Sequence, residues 1–150
     1  MVRPKLQSGP IVRTRKMERH YVSHRGVRGD HCDFCHFSLK SSQTRREYDH
    51  FWLVENIFPY ALWDGCRVTE HLLLSPKRHI ESLSELIPQE STEYVQIISG
   101  MEDEGYAVYA RPANSAAKSV PHQHSHFIRI DNKKIKTLYY NYLPHVLWFK

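Results

Sequence analysis

Residues 122–126 read His122-Gln123-His124-Ser125-His126, and this stretch decides how the chain is interpreted. Residues 122–130 are predicted to form a β-strand. Side chains along a strand alternate between its two faces, and residues two apart are about 6.5–7 Å from each other. The three imidazoles are therefore expected on one face, with Gln123 and Ser125 on the other.

A row of imidazoles has two chemical uses: it can bind a metal, or it can act as a nucleophile and phosphate ligand. The pair Cys32 and Cys35 forms a C-x-x-C. A structural zinc takes four tetrahedral nitrogen and sulfur ligands, so two histidines could complete a site that these cysteines begin. A disulfide or two free thiols are the alternatives. With Cys66 the cysteines number three, which argues against a secreted disulfide scaffold.

Local patterns predict an α+β fold. Strands are predicted over residues 47–55, 66–75 and 106–111, in addition to residues 122–130. A helix is predicted over residues 88–103, because Pro88 suits the first helical position. Its apolar stripe consists of Tyr94, Ile97, Ile98 and Met101. Short loops between the strands favour an antiparallel sheet with a helix on one face.

Positive charge is concentrated at the start of the chain. Residues 1–30 contain eight Lys/Arg and two acids, so their net charge is 8 − 2 = +6, whereas the remaining 120 residues hold 13 basic and 14 acidic groups, or −1. We predict a basic, flexible segment over residues 1–30 and one domain over residues 31–150. The basic segment is interpreted as a solvated tail, with contact to nucleic acid or a phosphorylated ligand, or organellar targeting, as alternatives.

Membrane association is not expected from the sequence. No apolar run approaches the roughly 20 residues that span a bilayer, and residues 1–30 carry no apolar stretch typical of a signal peptide. A cytoplasmic location is the resulting expectation.

Four segments together resemble the histidine triad (HIT) superfamily. Residues 119–128, SVPHQHSHFI, are similar to its triad motif with the upstream serine, and residues 72–80, LLLSPKRHI, are similar to its strand followed by P-x-x-H. Residues 31–37, HCDFCHF, resemble the C-x-F-C opening of its zinc-bearing members. Residues 56–60, NIFPY, resemble a segment of the branch that contains diadenosine tetraphosphate phosphorylases and galactose-1-phosphate uridylyltransferase-like proteins.

The resemblance implies a fold and a set of site residues. The implied fold is an antiparallel sheet of about five strands with one main helix packed on one face. One structural zinc per chain would be held by Cys32, Cys35, His79 and His122. The implied catalytic residues are His124 as nucleophile, His126 as a phosphate contact, and Ser119 as a donor near the leaving group. The implied substrate-binding or supporting residues are Asn56 near the ribose, Asn114 near the phosphate, and His71 beside the triad.

The resemblance implies attack on a nucleotide α-phosphate, and the chemistry of an imidazole nucleophile agrees with it. Neutral imidazole is a nucleophile near pH 7, so His124 would form a nucleotidyl-histidine that water or phosphate then releases. The expected substrate is a nucleotide or dinucleoside polyphosphate, and the resemblance also implies a homodimer. Two alternatives stay open: a non-catalytic nucleotide- or RNA-binding zinc protein, and a zinc hydrolase with the metal on all three histidines.

The chain departs from the family pattern at several positions. Gln123 and Ser125 replace apolar residues, which suggests that the back of this strand is less buried or faces a dimer interface or solvent. Ala117-Lys118 replaces Gly-Gln or Gly-Gly, so Lys118 either offers a charge to the leaving group or is a surface lysine. The loop over residues 61–67 looks longer than its counterpart. The Tyr-rich residues 139–142 are expected to pack on the body, with base stacking as the alternative.

Overall fold

The computed structural model describes residues 13–25, 32–134, 138–140 and 146–148. Two helices are present in these ranges, α1 (Arg15–Arg25) and α2 (Pro88–Asp103), together with two single 3₁₀ turns at Asp33–His36 and Leu83–Glu85. The strands are β1 (Thr44–Glu47), β2 (Phe51–Glu55), β3 (Leu62–Trp63), β4 (Cys66–Pro76), β5 (Ala107–Ala110), β6 (Ser125–Lys134), β7 (Leu138–Tyr140) and β8 (Val146–Trp148).

Six strands form one antiparallel sheet in the order β1-β2-β4-β6-β5, with the short β3 paired to β4. The predicted α+β class and antiparallel sheet are confirmed, with one short strand more than expected. The β3–β4 hairpin is closed by Asp64 and Gly65, which both have positive φ angles, of 51° and 74°. Asp-Gly suits a two-residue hairpin turn, because both central residues must adopt this conformation.

Apolar layers cover both faces of the sheet. On one face, α2 contributes Ile97 and Met101 to a core that also contains Phe51, Leu74 and Phe127. On the other face is a smaller cluster of Phe34, Val54, Leu73 and Val120. Because both faces are covered, β4 is buried continuously from residue 71 to residue 76 instead of alternating.

Helix α2 begins at Pro88 and ends at Asp103, as its local sequence predicts. The carboxylate of Glu90 accepts the backbone N–H of Ile87 at 3.0 Å and is paired with Arg78 at 2.7 Å. Arg78 belongs to the loop after β4, so this ion pair joins the start of α2 to the loop that carries His79.

The prediction of one continuous strand over residues 47–55 is wrong, because β1 ends and a second strand, β2, begins within this range. A turn at residues 48–50 separates β1 from β2, and the Glu93 carboxylate accepts the backbone N–H groups of Asp49 and His50, both at 2.8 Å. These donors bond to helix α2 and are therefore not part of the ladder between strands.

The predicted strand over residues 122–130 is corrected at both ends, because β6 spans Ser125–Lys134. Residues 122–124 precede the strand, and the backbone N–H of Gln123 donates to the carbonyl of Ile80 at 2.6 Å. The expectation that the back of this segment is less buried is also wrong. Ser125 is buried and bonded to Tyr94, and Gln123 is buried and bonded to Lys118.

Helix α1 lies inside residues 1–30, the segment predicted to be basic and flexible, and it gives residues 15–25 a helical structure. The division of the chain at residue 30 stays a prediction. Strands β7 and β8 pair with each other as a separate two-stranded sheet. The predicted packing of the Tyr-rich side chains at residues 139–142 lies outside the described residues. None of the helices in the described ranges has the length and apolar character needed to cross a membrane.

Candidate functional site

A cavity of about 410 Å³ opens on the face of the sheet opposite α2. Four of the predicted site residues line it: His124, His126, Ser119 and Asn56. His126 is on β6, Asn56 follows β2, and Ser119 and His124 belong to the loop that leads into β6. The structure thus brings together residues from two separate sequence motifs, residues 56–60 and residues 119–128.

His124 has its two ring nitrogens in different environments. Nδ1 lies 2.9 Å from the carbonyl oxygen of His122. A carbonyl oxygen only accepts hydrogen bonds, so Nδ1 carries the proton and donates it. Nε2 of the neutral ring is then left with a lone pair, which is what nucleophilic attack on phosphorus requires.

A chain of hydrogen bonds defines the tautomer of His126. The backbone N–H of Tyr60 donates to Nδ1 of His71 at 3.0 Å. Nε2 of the neutral His71 ring must therefore carry the proton, and it lies 2.9 Å from Nδ1 of His126. His126 accepts this bond through Nδ1, so its own proton is on Nε2 and can be donated to a phosphate oxygen.

Burial keeps these three imidazoles neutral. It is the main cause that lowers the pKa of His71 to about 3 and the pKa of His124 to about 4. The pKa of His126 is also lowered, first by burial and then by the neighbouring His124 and His71. All three rings are therefore uncharged at neutral pH, as the tautomer assignments require.

The ring of His126 packs against aromatic side chains. Tyr109 is directly opposite His126 in the β5–β6 register, and their rings stack at 4.4 Å with an interplanar angle of 5°. Trp63 stacks on the far side of Tyr109 at 5.0 Å, and Tyr60 joins through a 2.6 Å bond between its hydroxyl and that of Tyr109. Burial and this bond to Tyr60 raise the pKa of Tyr109, which keeps the phenol neutral.

The four predicted metal ligands form one cluster, in which all ligand atoms lie within 4.8 Å of one another. Sγ of Cys32 is 3.4 Å from Nδ1 of His122, and Sγ of Cys35 is 3.2 Å from Nδ1 of His79 and 3.5 Å from Nδ1 of His122. Sulfur and nitrogen ligands of a tetrahedral zinc are about 3.5 Å apart, given its usual bond lengths. The donor set and its spacing therefore fit a zinc-type ion.

A carbonyl group orients His122 within this cluster. Nε2 of His122 donates to the carbonyl oxygen of Pro76 at 2.9 Å, which leaves the lone pair on Nδ1 facing the two cysteines. The cluster also joins the 3₁₀ turn at Asp33–His36 to the sheet. Phe34 in this turn packs its ring 5.0 Å from that of His124 and lines the cavity. The candidate metal cluster and the cavity are thus neighbours that share this turn.

Two predicted substrate contacts do not line the cavity. Asn114 is exposed in the loop between β5 and β6. The ammonium group of Lys118 donates to the carbonyl of Glu81 at 2.6 Å and to Oε1 of Gln123 at 2.8 Å, so it joins two loops. His71 is buried beneath the cavity and acts on it through His126.

Several cavity residues were missed by sequence reasoning. Arg13, Tyr21 and His24 come from the N-terminal segment, whose basic composition suggested contact with a phosphorylated ligand only as an alternative and singled out none of these residues. Phe34 was visible as an aromatic residue beside the cysteines. For Tyr109, a cross-strand pairing of β5 with β6 was the only available signal, and register is not readable from a poorly alternating strand.

The fold is similar to that of two solved histidine triad proteins. A HIT family hydrolase from Clostridium thermocellum matches with a TM-score of 0.51 and 21% sequence identity, over 72% of this chain and 98% of the other. A HIT family hydrolase from Legionella pneumophila Philadelphia 1 matches with a TM-score of 0.51 and 18% identity, over 69% and 95% of the two chains. No family model matches the sequence. No match was found among curated proteins. This chain has a HIT-type fold.

Proposed function

We propose that this protein is a nucleotide hydrolase that breaks a bond at an α-phosphate through His124. The observation that carries the proposal is the bond from Nδ1 of His124 to the carbonyl of His122, which leaves Nε2 unprotonated in a ring that lines a cavity. The HIT-type fold supports it, because the names of the similar structures describe hydrolases.

The reaction would proceed in two displacements. In the first, Nε2 of His124 forms a bond to the α-phosphorus, and the bond from phosphorus to the leaving group breaks with its electron pair. The leaving group takes up a proton, for which Ser119 is the proposed donor. In the second, a water oxygen bonds to phosphorus, the nitrogen–phosphorus bond breaks, and a proton from water passes to solvent. With phosphate in place of water, the same steps give a nucleotidyltransferase.

Neighbouring groups would stabilise the negative charge on the phosphoryl oxygens during the displacement. The Nε2–H of His126 is a fixed donor, because Tyr60 and His71 define its tautomer. Asn56 is oriented by the bond from the Phe58 backbone N–H to its Oδ1 at 2.9 Å, which supports a contact of its amide with the ribose. Asn114 and Lys118 would have to move to reach a substrate in the cavity.

We further propose that Cys32, Cys35, His79 and His122 hold one structural zinc per chain. Zinc with four protein ligands supplies structural cohesion and no open coordination position for water. In the described part of the chain, the three histidines of residues 122–126 do not share one metal cluster. This arrangement favours the structural role over a hydrolase with zinc on all three imidazoles.

Mutation of the nucleophile tests the proposal. We expect His124→Ala to reduce turnover of an adenosine phosphoramidate or a dinucleoside polyphosphate by at least about 1000-fold, because the attacking atom is lost. Zinc content, measured by atomic emission, should stay at about one per chain. His50→Gln serves as a matched control, because His50 pairs with Glu93 away from the cavity.

Other outcomes would discriminate the alternatives. Intact mass spectrometry of the wild-type protein with substrate should show one added nucleotidyl group, and its absence in His124→Ala would assign the site. Unchanged turnover in His124→Ala would remove this residue from the mechanism. Nucleotide binding without turnover in the wild-type protein would favour a non-catalytic nucleotide- or RNA-binding zinc protein.

Assembly into a homodimer is a separate proposal that the family resemblance supports. Light scattering on the purified chain tests it, with a mass of two chains expected. A role for the basic segment in nucleic-acid contact is likewise tested by salt-dependent binding of RNA.

A further inference from the structure

Helix α1 forms one wall of the cavity that contains His124. Tyr21 and His24 of this helix line the cavity, as does Arg13, which precedes the helix by two residues. The ring of Phe58 holds α1 in place, with centroids 5.3 Å from Tyr21 and 5.1 Å from His24. The candidate active site therefore includes part of the basic N-terminal segment, outside every motif that carries the family resemblance.

Arg13 is a largely buried cation in this wall, with only 12% of its side chain exposed. Its Nε donates to the carbonyl of Phe58 at 3.1 Å. Its guanidinium carbon lies 4.2 Å from the ring centroid of Tyr21 and 4.9 Å from that of Tyr60. These contacts hold the guanidinium by its faces and by one nitrogen, so its orientation is defined before any ligand binds.

The charge of Arg13 is only partly balanced within the described residues. Nη1 lies 3.5 Å from a carboxylate oxygen of Glu18, and Glu18 is half exposed, so water screens this ion pair. Two acidic residues line the cavity: Glu55 is paired with Arg45, and a carboxylate oxygen of Asp33 lies 3.8 Å from Nε2 of His24. Guanidinium offers five donors, and the described contacts use Nε and Nη1.

Tyr60 connects Arg13 to the reacting end of the cavity. The ring of Tyr60 contacts the Arg13 guanidinium. It also lies nearly parallel to the ring of His126, with the two ring centroids 5.9 Å apart and an interplanar angle of 15°. Arg13 and His126 therefore line the same cavity, and both rest against the ring of Tyr60. Two donors spaced along one cavity suit two neighbouring phosphates, with Arg13 at the phosphate next to the one that His124 attacks.

We propose that Arg13 binds a phosphate adjoining the α-phosphate, and that it makes the site selective for nucleoside di- and polyphosphates over nucleoside monophosphates. This inference rests on the proposed function, because it takes His124 and His126 as the α-phosphate site. A guanidinium binds phosphate oxygens through charge-assisted, often bidentate, hydrogen bonds, so its loss has a measurable effect on affinity.

Equilibrium binding of adenosine, AMP and ATP tests the inference. Calorimetry in the His124→Ala background keeps ATP from being consumed. We expect Arg13→Gln to weaken ATP binding by about tenfold or more, while adenosine and AMP change by less than about twofold. Arg13→Lys should recover part of the ATP affinity. Arg19→Gln is the matched control, because Arg19 is an exposed arginine of the same helix.

Other results would contradict the role of Arg13, the proposed hydrolase function, or both. Unchanged ATP affinity in Arg13→Gln would overturn the role of Arg13 alone. Equal weakening of adenosine, AMP and ATP would show that Arg13 only holds α1 in place, and would also overturn it. If Arg13→Gln selectively weakens ATP binding but the wild-type protein turns over no nucleotide, the role of Arg13 would be supported and the proposed hydrolase contradicted. Absence of all nucleotide binding would overturn both proposals.

Discussion

At the scale of single residues, the chemistry of the site depends on which nitrogen of each imidazole carries the proton. Backbone groups decide this for two rings, because the His122 carbonyl orients His124 and the Tyr60 N–H orients His71. His71 then passes the constraint to His126 through one hydrogen bond. A histidine that touches no substrate can therefore determine whether the cavity contains a donor.

Replacement of His71 tests this constraint. We expect His71→Leu to lower kcat by about 10–100-fold, because His126 loses the partner that defines its tautomer. His71→Gln should restore part of the activity, since its amide N–H can donate to Nδ1 of His126. Turnover and zinc content measured on the same preparations check this, with zinc expected to be unchanged. Wild-type kcat in the leucine variant would contradict a role for His71 in orienting His126.

At the scale of secondary structure elements, the sequence best predicted those elements whose bounds depend on nearby residues. Helix α2 has the predicted bounds because Pro88 and a 3.6-residue apolar period are local signals. The start of β6 was missed because the backbone N–H of Gln123 donates to the carbonyl of Ile80, 123 − 80 = 43 residues earlier in the chain. The β3–β4 hairpin could have been predicted, since Asp64-Gly65 is a strong turn signal.

The candidate site divides in the same way. Its histidines and cysteines could be found from spacing and resemblance, since these residue types are common metal ligands and nucleophiles. Arg13 and Tyr109 could not, because an arginine in a basic tail and a tyrosine in a short strand are common surface and packing residues. Their roles arise from tertiary contacts with Tyr60 and His126 that no local pattern encodes.

The 3₁₀ turn at Asp33–His36 is the element that the metal cluster would hold against the sheet. We expect Cys32→Ser to reduce zinc below one per chain and to lower the melting temperature by several degrees, because bound structural zinc stabilises the folded state directly. Cys66→Ser is the matched control, since Cys66 is a buried cysteine outside the cluster. Zinc retained in the Cys32 variant would contradict the ligand set.

At the scale of the whole molecule, the buried imidazoles make folding stability depend on pH. The pKa of His71 is about 3 in the folded chain, chiefly because of burial and then because of the charge of Arg13. Unfolded histidine has a pKa near 6.5. Between these values the unfolded chain binds a proton that the folded chain does not, so the free energy of unfolding decreases as the pH falls from about 6.5 towards 3.

The contribution of His71 can be isolated by comparing two proteins at two pH values. Its share of the loss between pH 7 and pH 5 is about 2 kcal/mol, since each pH unit below 6.5 costs up to about 1.4 kcal/mol. The His71→Gln variant keeps His126, Arg13 and the proposed metal ligands, so it should lose about 2 kcal/mol less than the wild-type protein over this interval. Urea unfolding of both proteins at each pH measures the difference. Identical losses would mean that His71 binds its proton equally well in the folded and unfolded chains, which is incompatible with a neutral ring buried beneath the cavity.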